Sequence, residues 1–310
     1  MLLLMLILPS HFAMTPDALV AAAMARWQEL VGLNAPRPSD PCKQKQWDTP
    51  CCTAVADDLL TRNSDQASRA RLLASRACGS GEWLHALPLA SIGLKLDDTC
   101  TRIAVSLRLG VSAVLPHTCE CGAPVLCNGH HGLSCRKSAD RQQRHASVND
   151  IIHRALHSAG IQANREPVGL CGVGDDRRPD GITLVPWSRG KQLVWDFTCP
   201  DTLAPSHLVA TSATVAAAAE SAEQLKRTKY SDLCAIFEFV PVAVETLGVW
   251  GRSAWEFTGL LGKRIAAATK DPRSTSFLRQ RISIAVQRGN GLAVLGTHRH
   301  INPPKLCVIA

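Results

Sequence analysis

The run Leu193-Val194-Trp195-Asp196-Phe197-Thr198 sets an acid in the middle of a segment that is otherwise apolar and β-forming. A carboxylate in so apolar a strand is costly to bury unless a cation or a partner compensates it. The fold must therefore bring a compensating group to this strand. Sixteen residues upstream of Asp196, the step Arg178-Pro179-Asp180 precedes Gly181 and a second apolar stretch. Short strands over 181–185 and 192–199 are expected, joined by the turn-rich connection Pro186-Trp187-Ser188-Arg189-Gly190-Lys191. Such a hairpin would draw Asp180 and Asp196 together.

Around this hairpin, periodicity predicts a mixed α/β arrangement. Helical patterns cover 15–33, 54–60, 66–77 and 97–109, with 34–52 read as a loop. An amphipathic helix over 141–159 carries the apolar stripe Val148, Ile151, Ile152, Ala155, Leu156 and Ala159, and Gly160 ends it. A strand at 164–167 follows. After the hairpin come one alanine-dense helix over 210–230, a buried strand over 233–240, and helices near 253–269 and 274–289. Helix, strand, hairpin, helix, strand and helix in that order imply a mixed sheet flanked by helices.

Charge points to a polyanionic partner. Of the net charge of +8, residues 1–118 contribute 11 Lys+Arg against 10 Asp+Glu, leaving 23 against 16 for residues 119–310. The basic excess thus lies in the C-terminal two-thirds, where nucleic acid is the leading candidate. Thirteen cysteines are dispersed rather than framed for disulfides. The apolar run at 1–8 imitates a signal peptide but lacks a positive n-region, breaks at Pro9 and shows no small-x-small cleavage site. It is also far too short to span a bilayer, so neither secretion nor a membrane partner is expected.

Three constellations carry chemistry. Asp180 and Asp196, with Glu166 as a third acid, offer hard oxygen ligands for Mg²⁺ or Mn²⁺, which bind through one or two carboxylates plus substrate phosphate. The plainer alternative makes Asp180 a turn residue and pairs Asp196 with an arginine. Lys226 and Lys229 lie on one helical face ahead of Tyr230, the chain's single tyrosine, and could polarise a phosphate; a solvated basic helix end is the plainer reading. Cys119, Cys121, His130 and Cys135 form a Cys-x-Cys-x8-His-x4-Cys set suited to structural Zn²⁺, with His131 and Cys127 as competing ligands. Arg136, Lys137, Arg141 and Arg144 follow, suited to phosphate contacts. His145, with Asn149 one turn on, faces nucleic acid or buttresses the metal site.

In this order the pieces resemble the C-terminal region of non-LTR retrotransposon polyproteins. Those proteins carry a CCHC zinc knuckle followed by a restriction-like endonuclease of the PD-(D/E)XK superfamily. The motifs span residues 119 to about 250, and residues 47–118 resemble the linker that joins the polymerase to the knuckle. The resemblance implies a restriction-endonuclease-like core and metal-dependent phosphodiester hydrolysis that nicks DNA at a target site. Asp180 and Asp196 would be the metal ligands, Lys226 the preferred catalytic lysine, Lys229 its reserve and Glu166 a further acid. DNA, with element RNA as a second candidate, is the implied partner, and a nuclear location follows from that substrate alone. Two features depart from the pattern. Thr198 stands where the wider superfamily often places its lysine, and no Tyr-x-Asp-Asp polymerase motif precedes the knuckle. The resulting division is a helical linker-like segment at 1–118, the knuckle at 119–140, the nuclease domain at 141–290 and a tail at 291–310. The competing expectation is a catalytically inactive, nucleic-acid-binding retroelement remnant.

Overall fold

The computed structural model describes residues 16–32, 39–40, 42–137, 140–172 and 175–298, in two compact units divided after Ser64. The apolar run at 1–8 lies outside the described residues. In the first unit, helix α1 (Pro16–Val31) packs on α2 (Gln44–Arg62). Trp27 is fully buried; its indole donates to the Trp47 carbonyl at 3.1 Å, and the two rings meet edge-on at 5.3 Å. The loop expected over 34–52 is therefore too long. Residues 44–52 are helical despite Pro50, and the packing of Trp47 on Trp27 offsets the amide hydrogen that proline lacks.

The second unit begins with α3 (Gln66–Arg76) and α4 (Asp98–Leu109), then β1 (His117–Thr118), β2 (Pro124–Val125) and α5 (His130–Ser134). It continues through α6 (Asp140–Ser158), β3 (Ala163–Arg165), β4 (Gly181–Ser188) and β5 (Lys191–Thr198). The remaining elements are α7 (Pro205–Thr211), α8 (Ala217–Lys229), α9 (Ser231–Ile236), β6 (Glu238–Ala243), α10 (Arg252–Thr269) and α11 (Ser274–Leu295). Local signals set several boundaries. Asp97 accepts from the Cys100 amide at 2.8 Å to start α4, and Gly110, in the left-handed region, ends it.

Strands run in the order β3-β4-β5-β6; the first two pairings are antiparallel and β5 pairs β6 in parallel. Parallel pairing requires a crossover, which α7, α8 and α9 supply. The hairpin turn is tighter than the expected six-residue connection. Pro186 and Trp187 belong to β4, and Arg189-Gly190 alone turns the chain with φ of 48° and 75°. Two further expectations change. The helix expected over 210–230 is broken around Ala216, which adopts φ 65°, and α8 starts afresh where the Glu245 carboxylate accepts from the Ala219 amide at 3.0 Å. Residues 233–236, expected to open the strand over 233–240, belong instead to a helix, and Tyr230 and Leu233 share a core beneath the sheet.

Alternation along β5 sorts its side chains. Leu193, Trp195 and Phe197 enter the main core with Ile152 and Leu156 of α6, Phe257 and Leu261 of α10, and Ile282 of α11. Val194 faces the other way, toward Ile182, Tyr230, Leu233 and Phe239. Asp196 shares the parity of Val194. The fold is thus mixed α/β, with a four-stranded mixed sheet flanked by helices, as expected. The boundary expected at 118 does not separate compact units: Ala70, Ala74, Ile103 and Leu107 share a core with Cys119, Leu133, Cys135 and Val294.

Candidate metal centres and a basic cleft

The cysteine-rich segment folds into a single ligand set. Cys119, Cys121, His131 and Cys135 place their donor atoms within 4.8 Å of one another. A turn brings the first two together: the Cys119 amide donates to Ala123 and the Gly122 amide to Cys119. Cys119 Sγ lies 3.8 Å from Cys135 Sγ, and Cys121 Sγ lies 3.2 Å from His131 Nε2. Zinc–thiolate bonds of about 2.3 Å at tetrahedral angles put two sulfurs about 3.8 Å apart. The donors fit structural zinc, with a correction to the ligand set. His131, not His130, is the imidazole. His131 and Cys135 are four apart across the single turn of α5 and so share a face, whereas His130 turns into the protein, where burial pushes its pKa down. Cys127 is exposed and outside the set. Burial raises the Cys119 thiol to about 11, while the hydrogen bond to the Ala123 backbone lowers that of Cys121.

Gly132 seats this knot on the rest of the unit. A Cβ there would stand 2.7 Å from Val294 Cα and 2.9 Å from the Ala293 carbonyl oxygen. Only glycine lets α5 approach the backbone of α11 so closely.

The acid pair lies at the end of the hairpin. Gly181 pairs with Trp195, so Asp180 begins one step beyond, beside Asp196. The Asp180 amide donates to the Trp195 carbonyl at 3.0 Å, and its Oδ2 accepts from the Phe197 amide at 2.5 Å. Asp180 thereby brackets Asp196 from both sides. Gly181 makes the approach possible, since a Cβ would fall 2.1 Å from the Trp195 ring. Asp196 is 3% exposed, and Lys226 Nζ lies 2.5 Å from its Oδ1. That buried oxygen accepts no hydrogen bond in proper geometry, so the ammonium offsets it as a charge. Burial and the Asp180 charge push the Asp196 carboxyl above the ordinary carboxylate range, against the pull of Lys226.

Tyr230 closes the site from below. It is fully buried, its hydroxyl donates to the Arg178 carbonyl at 2.9 Å, and burial drives its pKa upward. The Arg-Pro-Asp step is thereby pinned to the end of α8. Lys229 is not brought to the acids. Its ammonium sits over the Tyr230 ring, 4.7 Å from the centroid, and its carbonyl accepts from Arg177.

Opposite Lys226, α6 presents His145. Its Nε2 lies 3.2 Å from Asp180 Oδ2, its Nδ1 lies 3.2 Å from Asn149 Nδ2, and its ring packs on Phe197 at 5.7 Å. The hydrogen bond to Asp180 raises its pKa against the effect of burial. Asn149 is itself buried and accepts from Trp195 Nε1 at 3.0 Å.

His145 and Lys226 line one cleft of about 670 Å³, together with Arg136, Lys137, Arg141, Glu166, Phe197, Thr198 and Cys199; Asp180 and Asp196 are outside that lining and meet it through His145 and Lys226. Glu166 is exposed, holds φ 49°, and donates its amide to the Asp180 carbonyl at 3.0 Å. Its backbone thus braces Asp180. Among the described residues, its carboxylate joins no ligand group with the two aspartates. Lys137 and Arg141 are exposed on the cleft wall, reaching the carbonyls of Glu120 and Ser134. Arg144 differs from the expected phosphate contact: it is 3% exposed, and Nη1 donates to Asn290 Oδ1 at 2.6 Å.

Trp195 and Tyr230 are the supporting residues that sequence reasoning missed in these roles. Trp195 reads as core, and no sequence signal discloses its indole N–H contact; Tyr230 stood out only as the single tyrosine beside the lysines. Among the described residues, no helix is long and apolar enough to cross a membrane. Comparison with protein-family models gives no match, and comparison with curated proteins gives none either.

Proposed function

We propose that the chain is a retrotransposon-derived, restriction-like endonuclease that nicks DNA by metal-dependent phosphodiester hydrolysis. The observation that carries this reading is that Asp180 and Asp196 are held together at the end of the hairpin and contact His145 and Lys226, which line a cleft walled by Arg136, Lys137 and Arg141. The all-oxygen donor pair suits Mg²⁺ or Mn²⁺, although the buried Asp196 Oδ1 already has the Lys226 ammonium beside it. Asp180 and Asp196 would hold the ion, which when bound supplies charge neutralisation at the scissile phosphate and lowers the pKa of water. Arg136, Lys137 and Arg141 bind the flanking phosphates without reading sequence. Lys226 faces the charge that develops on the phosphoryl oxygens as water attacks phosphorus. The bond to the 3′ oxygen breaks, that oxygen takes a proton, and the products are a 5′ phosphate and a 3′ hydroxyl. The Cys₃His knot takes the place of the knuckle, ahead of the basic wall.

The test is nicking of supercoiled plasmid with Mg²⁺ or Mn²⁺. Asp180→Ala and Asp196→Ala are expected to abolish it, and Lys226→Ala to slow it by about 10²–10³-fold. Equal nicking by wild type and both aspartate variants overturns the reading. One observation favours the alternative, a catalytically inactive nucleic-acid-binding remnant: the Lys226 ammonium already neutralises Asp196 at 2.5 Å. That reading expects salt-dependent DNA binding through the same basic wall with no metal-dependent nicking.

A further inference from the structure

We infer that His145 is a positioning residue for Asp180: Asn149 and Trp195 orient its ring so that Nε2–H donates to Asp180 Oδ2 and leaves Oδ1 for the cation. The inference rests on the proposed cation site but reaches a residue outside the ligand pair.

The chain of donors fixes the assignment without reference to the imidazole itself. Trp195 Nε1 bears a hydrogen and can only donate. The Asn149 atom that receives it at 3.0 Å is therefore the carbonyl oxygen, which settles the orientation of the amide. Its nitrogen then faces His145 Nδ1 at 3.2 Å and donates in turn. Nδ1 must present a lone pair, so the ring proton resides on Nε2, 3.2 Å from Asp180 Oδ2. Trp195 and Asn149 are both buried, and the imidazole packs on Phe197, so each link is held by its surroundings.

The consequence lies in how Asp180 divides its oxygens. Oδ2 accepts from both the Phe197 amide and His145, which saturates that side of the carboxylate. Oδ1 has no such partner among the described residues and is the oxygen offered to an ion. Remote hydrogen bonds of this kind orient ligands in metal sites, and losing one typically costs about 10–100-fold in affinity.

Two measurements on the full-length, zinc-loaded chain test this. In ¹⁵N-histidine NMR of protein without added Mg²⁺ or Mn²⁺, the His145 signal, assigned by its loss in His145→Gln, is expected to show an unprotonated Nδ1 and a protonated Nε2. Asn149→Leu is expected to release that preference into a mixture. A protonated Nδ1 in the wild type overturns the inference, whatever the nicking assay gives. Mn²⁺ titration followed by electron paramagnetic resonance supplies the second readout. His145→Leu is expected to weaken Mn²⁺ by at least about tenfold. His145→Gln, whose amide N–H can reach the place of Nε2–H, is expected to restore affinity to near wild type. If Gln binds Mn²⁺ as weakly as Leu while Asp180→Ala still abolishes binding, the positioning role fails and the nuclease reading survives. If the wild type binds no Mn²⁺ beyond Asp180→Ala, the cation site itself fails and the role of His145 with it.

Discussion

Gly181→Ala tests the geometry of the hairpin most directly. The added methyl would stand 2.1 Å from two carbons of the Trp195 ring and 2.6 Å from a third. Trp195 cannot yield easily, because it is fully buried and its indole N–H is engaged by Asn149. Overpacking in a close-packed core costs about 1–3 kcal/mol, and this contact belongs at the upper end. For a unit of this size each kcal/mol lowers Tm by about 2–4 °C, so a fall of roughly 6–12 °C is expected. Gly259→Ala is the control. It lies inside α10, and its nearest foreign atom, Arg279 Nη2 at 3.3 Å, is held by the Trp255 carbonyl at 2.8 Å; the helix-propensity gain of about 0.5–1 kcal/mol is offset by that tight contact, so little change in Tm is expected. Thermal unfolding followed by circular dichroism reads both. In a Trp195→Phe background the smaller ring leaves room, so the penalty of Gly181→Ala should shrink by at least about 0.5 kcal/mol. A Gly181→Ala protein melting within a degree of wild type, or strict additivity in the double variant, would refute this account of how Asp180 reaches Asp196.

Other expected outcomes follow from separate features. Cys135→Ser should reduce bound zinc from about one equivalent to none by atomic absorption, and a strong chelator should lower the Tm of the wild type toward that of the variant. His130→Ala should retain its zinc, because His131 rather than His130 joins the Cys₃His set. Alkylation of metal-free native protein should spare Cys100, whose buried thiol is pushed up to about 12, while exposed Cys52, Cys78 and Cys127 react; mass spectrometry of modified peptides checks this. Burial pushes the Glu223 carboxyl above its ordinary range even though it caps the Ser253 and Ala254 amides. Its native pKa exceeds its unfolded one, so its stabilising contribution is full below the unfolded value and is lost as pH rises through the native value. Denaturation of wild type and Glu223→Gln across that range should show the wild type losing ground as pH rises; a constant difference would contradict the sign.

Much of the site was legible because chemistry and periodicity coincide there. An acid inside an apolar strand has few explanations, and the spacing to Asp180 required a hairpin. The pairing of Lys226 rather than Lys229 with Asp196 depends on where α8 stops, which composition does not reveal. The choice of His131 over His130 was hidden for a similar reason. The sequence shows two adjacent imidazoles, and only the helical turn between residues 130 and 134 brings the second onto the face of Cys135. Residues 233–236 look like the start of a strand by composition, yet the need to bury Tyr230 and Leu233 on one side makes them helical. Arg144 resembled a phosphate ligand because its partner Asn290 lies far along the chain.

Helix α11 has a consequence for how the second unit comes apart. It sends Ile282 and Val286 into the core behind the sheet, Ile284 into a cluster with Trp83, and Val294 against the Cys₃His knot. A single rod threads all three, so none can loosen while the others keep their partners. Removing the end of this helix should therefore disturb the metal knot and the hairpin together, and the unit should melt as one calorimetric event rather than shedding its cysteine-rich part first.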